Sequence, residues 1–266
     1  MTRVGVVGHV EWVEFVTLDA LPAGGQVARG RDSFTRAAGG GGVAAVVAAE
    51  LGAQVDFFCA LGSDDVGRAA AAQLQQRGVS VHVAWRDQPS RRAIGLLVEG
   101  GERAVVTIGE RIEPRGEDDL PWGRLAAAGA VYFTAGDAAA LERSRAAAVV
   151  VATPRARGAF RDGGPSVDAL VFSARDRDES DWAQELAPRT RLLVATDGAS
   201  GGRWWGETEG SWAPVEPDGP PRDDFGAGDS FAAGFTLGLA RGLPVAAAAE
   251  LGASAGARAL TRPGAP

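Results

Sequence analysis

One glycine-rich stretch near the carboxyl end, residues 222–235, constrains the chain more than any other. It joins a proline-rich loop to a helical pattern of small residues that runs from about Ser230 to Ala240. Gly226 and Gly228 permit a backbone turn that Cβ atoms would obstruct, and the Gly-Ala-Gly sequence leaves peptide N–H groups uncovered. Because these groups precede a helix, the stretch predicts an anion site backed by the positive end of the helix dipole.

Asp229 follows this turn, where a carboxylate would be the wrong residue if the only task were to hold phosphate. We therefore interpret it as a base that acts on a group beside the phosphate, which suggests phosphoryl transfer to a hydroxyl. The N–H groups of Ala227, Gly228 and Asp229 would then hold the charge that develops on the transferred group. The alternative is structural, since an Asp at a helix start is often only a cap or a first-turn residue.

Composition excludes several classes of protein. With 266 residues the chain can bury a sizeable core, and its net charge of -7 gives no basic surface for nucleic acid or a membrane. All 27 basic residues are Arg, because the sequence contains no Lys. A Walker-type P-loop and a protein-kinase site both need Lys, so neither can exist here.

The expected compartment is the cytoplasm. The single cysteine, Cys59, lies in an apolar segment and predicts a buried thiol without an internal disulfide. The amino terminus enters a strand-like run without a basic-then-apolar signal segment, and no apolar run is long enough to span a bilayer.

Short apolar runs alternate with helical patterns along most of the chain. Strands are expected at residues 3–8, 55–61, 130–134, 148–152, 169–173 and 192–195, and helices at 37–53, 66–77, 137–146 and 178–186. Asp65 or Ser63 is expected to cap the helix at 66–77. This alternation favours an α/β fold with a mostly parallel sheet covered by helices.

Two hairpins are also predicted. Residues 94–98 and 104–108 flank the turn Glu99-Gly100-Gly101-Glu102-Arg103, and residues 203–205 and 211–213 flank a second glycine-containing turn.

As a whole, residues 223–231 resemble the signature of the ribokinase-like (PfkB) carbohydrate kinases, Asp-Thr-x-Gly-Ala-Gly-Asp-x-Phe. Asp223, residues 226–229 and Phe231 match it, whereas Asp224 stands in place of the usual Thr. The resemblance covers the chain from end to end with the order of the motifs intact. It implies a single ribokinase-like domain over residues 1–266 that transfers the γ-phosphate of ATP to a sugar hydroxyl with the help of Mg²⁺.

The same resemblance implies where the sugar binds. Gly39 and Gly40 match the family's Gly-Gly-x-x-x-Asn motif, although Ala44 stands at its Asn position. Glu11 is the candidate for the acidic residue that contacts sugar hydroxyls after the first strand, with Glu14 as the alternative. Asp223 and Asp229 of the signature are expected to contact the substrate as well.

It also implies a nucleotide site. Thr196, Gly198 and Gly201 resemble the family's Thr-x-Gly-x-x-Gly loop and are expected to bind ATP together with Gly226 and Gly228. Residues 173–176 occupy the place of the family's Asn-x-x-Glu, which organises magnesium and its waters. Asp176 keeps the carboxylate of that motif and is the predicted Mg²⁺ residue.

Residues from about 13–34 and 92–109 are expected, on this resemblance, to form a small β lid over the substrate. Such a lid would keep water from the phosphoryl group. Its exposed strand edges make a homodimer through the lid possible.

Three other interpretations stay open at this point. A nucleoside kinase of the same fold would share every motif, and a non-catalytic ligand sensor would explain the losses at Ala44 and Ser173, although the retained Asp229 argues against a sensor. A dinucleotide-binding fold is disfavoured, because its glycine fingerprint follows the first strand directly and here roughly thirty residues intervene.

Overall fold

Two β-sheets and their covering helices make up residues 1–98 and 103–264, the part of the chain that the computed structural model describes, apart from the side chains of residues 162 and 163. The strands, in chain order, are β1 (Arg3–Val7), β2 (Glu11–Leu18), β3 (Asp32–Ala38), β4 (Gln54–Gly62), β5 (Ser80–Arg86), β6 (Arg92–Val98), β7 (Arg103–Ile108), β8 (Ala130–Phe133), β9 (Val150–Ala152), β10 (Val167–Ser173), β11 (Thr190–Thr196), β12 (Gly202–Gly206) and β13 (Gly210–Trp212). The helices are α1 (Gly39–Glu50), α2 (Asp65–Gln76), α3 (Ala138–Ser144), α4 (Arg177–Leu186), α5 (Ala227–Ala240) and α6 (Val245–Ala259).

The large sheet has the strand order β13-β12-β11-β10-β9-β8-β1-β4-β5. Its neighbours from β11 to β5 are parallel, and β12 and β13 add an antiparallel edge. The chain runs from β1 to β4 and β5 on one side, and then returns to place β8 on the other side of β1. In open α/β sheets, ligands bind beyond the carboxyl ends of the strands where the strand order reverses in this way. The fold therefore predicts a site beyond β1 and β8.

Both faces of the large sheet are buried, so its strands are apolar at successive positions rather than at alternate ones. Val6 of β1 and Phe57 of β4 belong to a core shared with α1, α5 and α6. Val7 and Phe58, one residue further along, belong to a second core on the opposite face. Cys59 is fully buried in the first core, as predicted.

The small sheet has the order β3-β2-β6-β7, in which β2 and β6 are parallel and the outer pairs antiparallel. Val13 and Phe15 of β2 are fully buried. The predicted hairpin at 94–98 and 104–108 is confirmed as β6 and β7, while its turn, Glu99–Glu102, lies outside the described residues. Because β3 runs directly into α1, the first residue of β2, Glu11, pairs with Ala38 beside the glycine cluster.

The predicted α/β class and the mostly parallel sheet are confirmed. The strand β5 was not predicted, and α5 begins at Ala227, three residues before the expected position. The predicted helix cap at Asp65 or Ser63 is wrong, because the residue between them, Asp64, caps α2. Among the helices of the described residues, none combines the length and apolar character needed to cross a bilayer.

Asp64 caps α2 because its carboxylate reaches donors on two segments. Oδ1 accepts hydrogen bonds from the N–H of Gly67 at 2.8 Å and the hydroxyl of Ser90 at 2.7 Å, and Oδ2 accepts from the N–H of Ser90 at 2.8 Å. Partial burial alone would raise the pKa of Asp64, but these hydrogen bonds outweigh it and lower the pKa below 3.8. The cap therefore also ties the loop before β6 to the start of α2.

Asp64→Ala should lower the free energy of unfolding by about 1–3 kcal/mol at neutral pH, because it removes the cap and leaves the Ser90 donors unsatisfied. Asp65→Ala is the matched control, and its exposed side chain should contribute no more than about 0.5 kcal/mol. Because the pKa is lowered on folding, the contribution of Asp64 is present above its unfolded pKa and disappears as the pH falls through its folded pKa. Urea denaturation at pH 7 measures both variants, and equal losses would refute the assignment of the cap.

Candidate active site

A cleft lies along the carboxyl ends of the parallel strands and has a volume of about 430 Å³. Five of its lining residues end or closely follow strands of the large sheet: His9, Thr134, Thr153, Ser173 and Thr196. The small sheet, the loop before α5 and the first turns of α1, α4 and α5 also contribute to the wall. The cleft thus lies where the topology of the sheet predicts a ligand site.

Asp229 enters this cleft from the first turn of α5. The helix is preceded by Gly226, whose φ of 73° is left-handed and favours glycine. The first i to i−4 bond of the helix runs from the N–H of Ser230 to the carbonyl of Gly226 at 2.8 Å. Asp229 is therefore not the cap of α5, and the N–H groups of Gly228 and Asp229 precede the hydrogen-bond ladder of the helix.

The carboxyl group of Asp229 has a pKa close to neutral pH. Its pKa is raised from 3.8 to about 6, mainly by burial and also by the neighbouring charges of Glu179 and Glu11. The guanidinium of Arg155 and a hydrogen bond from Tyr132 oppose this shift. A carboxyl group with this pKa is ionised at pH 7 yet basic enough to accept a proton, as a general base must be.

Gly40 lets the wall of the cleft approach this carboxylate closely. A Cβ at this position would lie 3.1 Å from Oδ1 of Asp229 and 3.4 Å from Cε1 of His9. The glycine at the start of α1 thus leaves room between the side chains of Asp229 and His9, and any larger residue would enter that space.

Glu11 and His9 occupy the side of the cleft formed by β1 and β2. Glu11 is buried, and its Oε1 lies 2.9 Å from Nε of Arg91 in an ion pair. The N–H of Gly40 donates to Nε2 of His9 at 3.4 Å. Burial is the main cause that lowers the pKa of His9 to about 3, with Arg111, Arg91 and Arg155 adding to it, so the imidazole is neutral at physiological pH.

An arginine-centred ion-pair cluster forms the other side of the cleft. Arg155 donates through Nε to Oε1 of Glu179 and through Nη2 to Oδ2 of Asp176, the latter at 2.7 Å. The second oxygen of Glu179 accepts from the N–H of Ser173 at 2.8 Å. Asp176 caps α4 and Glu179 is its third residue, so a single helix start holds both carboxylates against one guanidinium.

The cleft brings together seven of the residues predicted from the sequence. They are Glu11, Gly39, Gly40, Thr196, Gly226, Gly228 and Asp229. These residues are separated by up to 218 positions in the chain (229 − 11), and the fold brings them to one cleft.

Five predicted residues do not line the cleft. Asp223 is buried, and its carboxylate accepts from the N–H groups of Phe225 and Gly264, each at 2.8 Å, so it fastens the loop before α5 to the carboxyl-terminal segment. The N–H of Ala227 donates to the carbonyl of Asp224 at 3.2 Å.

Asp176, Gly198 and Gly201 are the other predicted residues outside the cleft. Both carboxylate oxygens of Asp176 are engaged, one by Arg155 and the other by the N–H of Glu179 at 3.1 Å. Gly198 and Gly201 lie in the turn between β11 and β12, just after Thr196, the last residue of β11.

Sequence reasoning missed most of the charged wall. The lining residues that it missed include Arg91, Arg103, Arg111, Tyr132, Thr134, Arg155 and Glu179. One of them carried a readable signal, since Asp176 and Glu179 have the spacing of Asn-x-x-Glu when Asp176 is aligned with its Asn. The alignment predicted from the sequence places the motif at residues 173–176, with Asp176 at its Glu position. The arginines offered no such signal, because nothing in their local sequence distinguishes them from surface arginines.

Comparison with known proteins agrees with this geometry. The sequence model of the pfkB family carbohydrate kinases matches residues 1–158 and 168–266. An ATP-dependent ribose-1-phosphate kinase from Halopiger xanaduensis is 31% identical over 250 residues, which cover 88% of this chain and 84% of that protein.

Solved structures show the shared fold. A microbiome-derived acarbose kinase superposes with a TM-score of 0.80 at 24% identity, over 99% of this chain and 94% of its own. Arabidopsis thaliana ribokinase, solved with ribose and ATP, superposes with a TM-score of 0.76 at 19% identity, over 100% of this chain and 95% of its own. With the family model matched over nearly the whole chain and the fold shared from end to end, the chain belongs to the PfkB family of carbohydrate kinases.

Proposed function

We propose that the protein is an ATP-dependent kinase that phosphorylates a hydroxyl of a sugar, with Asp229 as the general base. The observation that carries this proposal is the position of a buried carboxyl group with a pKa of about 6 in the first turn of α5, next to N–H groups that precede the helix ladder. A base and an anion site side by side are the two elements that phosphoryl transfer to a hydroxyl requires.

In the proposed step, the hydroxyl oxygen of the acceptor forms a bond to the γ-phosphorus of ATP. The bond from that phosphorus to the bridging oxygen breaks, and ADP leaves with its electron pair. The hydroxyl proton passes to the carboxylate of Asp229. Tyr132, hydrogen-bonded to this carboxylate, would hold its orientation.

The start of α5 is proposed to stabilise the transferred phosphoryl group. Gly226 and Gly228 line the cleft, and a Cβ at Gly228 would meet nothing within 4 Å, so no other segment covers the side-chain side of this residue. The N–H of Ala227 is already used within the loop, so we assign the stabilisation mainly to Gly228 and Asp229. In a chain without Lys, Arg155 beside Asp229 and Glu179 is the candidate for additional positive charge.

Nucleotide binding is proposed at Thr196, Gly198 and Gly201, at the end of β11. Mg²⁺ requires oxygen ligands and is commonly bound through water and the nucleotide phosphates. Asp176, the predicted Mg²⁺ residue, lies outside the cleft, whereas the carboxylate of Glu179 lines it, so we extend the proposed metal role to Glu179. When bound with ATP, Mg²⁺ would screen the charge of the phosphates.

The small sheet is proposed as a lid over the acceptor within a single domain. Arg103 of β7 forms an ion pair with Asp224 and lies 5.5 Å from the ring centroid of Phe225, which connects this sheet to the loop before α5. The edge strand β7 exposes Val106, so a homodimer through this sheet stays a proposal. Use of ATP favours the cytoplasm as the compartment.

Asp229→Asn should lower turnover by roughly 10²–10⁴-fold, the usual contribution of a general base, while the affinities for ATP and acceptor change far less. The measurement is ADP release with Mg·ATP over a panel of sugars, sugar phosphates and nucleosides. Asp65→Asn, an exposed first-turn residue of α2, is the matched control. Near wild-type turnover in an Asp229→Asn protein that melts normally would refute the role of Asp229.

The pH dependence should follow the raised pKa of Asp229. Because the base must be ionised, kcat/KM should rise with pH through an acid limb near pH 6, above the 3.8 of an ordinary Asp. Glu179→Gln removes a negative charge that raises this pKa, so it should move the limb to lower pH. A rate that is flat between pH 5 and 8 in the wild-type protein would contradict the assignment.

A further inference from the structure

A carboxylate lies beside the proposed phosphate site. Asp224 lines the cleft together with Gly226 and Gly228. Its carbonyl accepts the N–H of Ala227 at 3.2 Å, so Asp224 is part of the turn that leads into α5. The family signature has Thr at this position. A negative charge there would repel the phosphates of ATP, which a Thr hydroxyl would not do, so the replacement is unfavourable for phosphate binding unless another group offsets it.

Arg103 of β7 supplies the opposite charge. Its Nε donates to Oδ1 of Asp224, in an ion pair between residues 121 positions apart in the chain. Its guanidinium carbon also lies 5.5 Å from the ring centroid of Phe225, the next residue of the loop. Arg103 itself lines the cleft. A cation of the small sheet is therefore placed directly at the carboxylate that replaces the Thr.

Aromatic packing keeps this cation and the loop together. Phe225 packs edge-on against Phe15 of β2, with the ring centroids 5.0 Å apart, and Phe15 stacks on Phe34 of β3. Arg103 thus contacts a loop that is already packed against its own sheet. The approach of the guanidinium to Asp224 depends on this packing and on the cation–π contact as well as on the ion pair.

The charges of Arg103 and Asp224 both influence the neighbouring carboxyl group of Asp223. The pKa of Asp223 is raised from 3.8, mainly by burial, while hydrogen bonds from the N–H groups of Gly264 and Phe225 oppose the shift. Arg103 lowers this pKa and Asp224 raises it. Within the loop, the positive charge of Arg103 therefore counteracts the negative charge of Asp224.

The pair is open to solvent, since 35% of the Arg103 side chain and 61% of the Asp224 side chain are exposed. An ion pair this exposed contributes little to the stability of a fold. Its charges still act on an anion in the adjoining cleft, and salt weakens that effect. Loss of one partner should therefore change the binding of a polyanion more than it changes folding.

We propose that Arg103 is a positioning residue of the nucleotide site that acts through Asp224, whose negative charge it neutralises so that the turn before α5 can accept the phosphates of ATP. The location of the phosphates rests on the proposed function. Because Arg103 belongs to the small sheet, the sheet proposed to cover the acceptor also sets the charge at the phosphate site. Contact between this sheet and the loop and binding of ATP should then favour each other.

The test is a calorimetric titration of a non-hydrolysable Mg·ATP analogue, without acceptor, into the wild-type protein, Arg103→Gln, Asp224→Thr and the double variant. Arg103→Gln should weaken binding by roughly 3–30-fold, because one uncompensated charge then faces a polyanion. Asp224→Thr should bind at least as tightly as the wild type, because the repelling charge is gone. The double variant should recover to within about threefold of the wild type, as should Arg103→Lys, which keeps the charge.

Arg92→Gln is the matched control, because it removes the same charge from an exposed residue of the same sheet that does not line the cleft. It should leave the affinity unchanged, and thermal melts confirm that each variant is folded. Raising the salt concentration from about 0.05 to 0.5 M should reduce the difference between the wild type and Arg103→Gln, since it shortens the Debye length. In turnover assays, Arg103→Gln should raise KM for ATP more than it lowers kcat.

Three outcomes would overturn the inference while leaving the kinase in place. Unchanged affinity in Arg103→Gln would show that Asp224 does not act on the phosphates. Equal losses in both single variants, without recovery in the double variant, would make the pair a structural tie only. A loss in Arg103→Gln that persists in the double variant would show that Arg103 contacts the nucleotide directly.

Failure of the proposed function gives a different result. Absence of ADP release with every acceptor would refute the kinase, whereas recovery of nucleotide affinity in the double variant would still support the role of Arg103.

Discussion

The proposed chemistry of the cleft depends on the burial of one carboxyl group, that of Asp229. Removed from water and set beside Glu179 and Glu11, it has a pKa near 6 instead of 3.8. Two glycines permit this placement: the left-handed Gly226 starts α5 at the required point, and Gly40 leaves space against the opposite wall. Because Asp229 and the N–H groups that precede the helix ladder belong to one helix turn, the proposed proton acceptor and the proposed phosphate site are fixed relative to each other.

All 27 of the Lys and Arg positions in this chain are Arg, so its ion pairs depend on guanidinium groups. A planar guanidinium can join two partners at once, and Arg155 does so between Asp176 and Glu179. Arg103 likewise connects the small sheet to the loop before α5 through Asp224, the residue that replaces the Thr of the family signature. These ion pairs join segments of the cleft wall that are distant in the chain. Such a fixed wall favours exclusion of water during phosphoryl transfer.

The sequence was sufficient to predict the α/β class and most strands of the large sheet, because buried parallel strands are short, continuous apolar runs. It was insufficient for β5, where Val81 and Val83 are only half buried and the pattern is weak. Asp229 and its glycines were predictable because a local motif specifies them. Arg111, Arg155 and His9 were not predicted to line the cleft, since their surroundings are created by tertiary contacts between the two sheets and not by neighbours in the sequence. Glu179 carries a weaker signal, because its spacing from Asp176 is also that of Asn-x-x-Glu.

The most direct test of this account is a crystal structure of the protein with Mg²⁺, a non-hydrolysable ATP analogue and an acceptor identified by its turnover. The account predicts an acceptor hydroxyl within about 2.6–3.2 Å of a carboxylate oxygen of Asp229. It also predicts that the γ-phosphate lies against the N–H groups of Gly228 and Asp229. An acceptor whose hydroxyls all lie beyond hydrogen-bond reach of Asp229, or phosphates away from the start of α5, would contradict it.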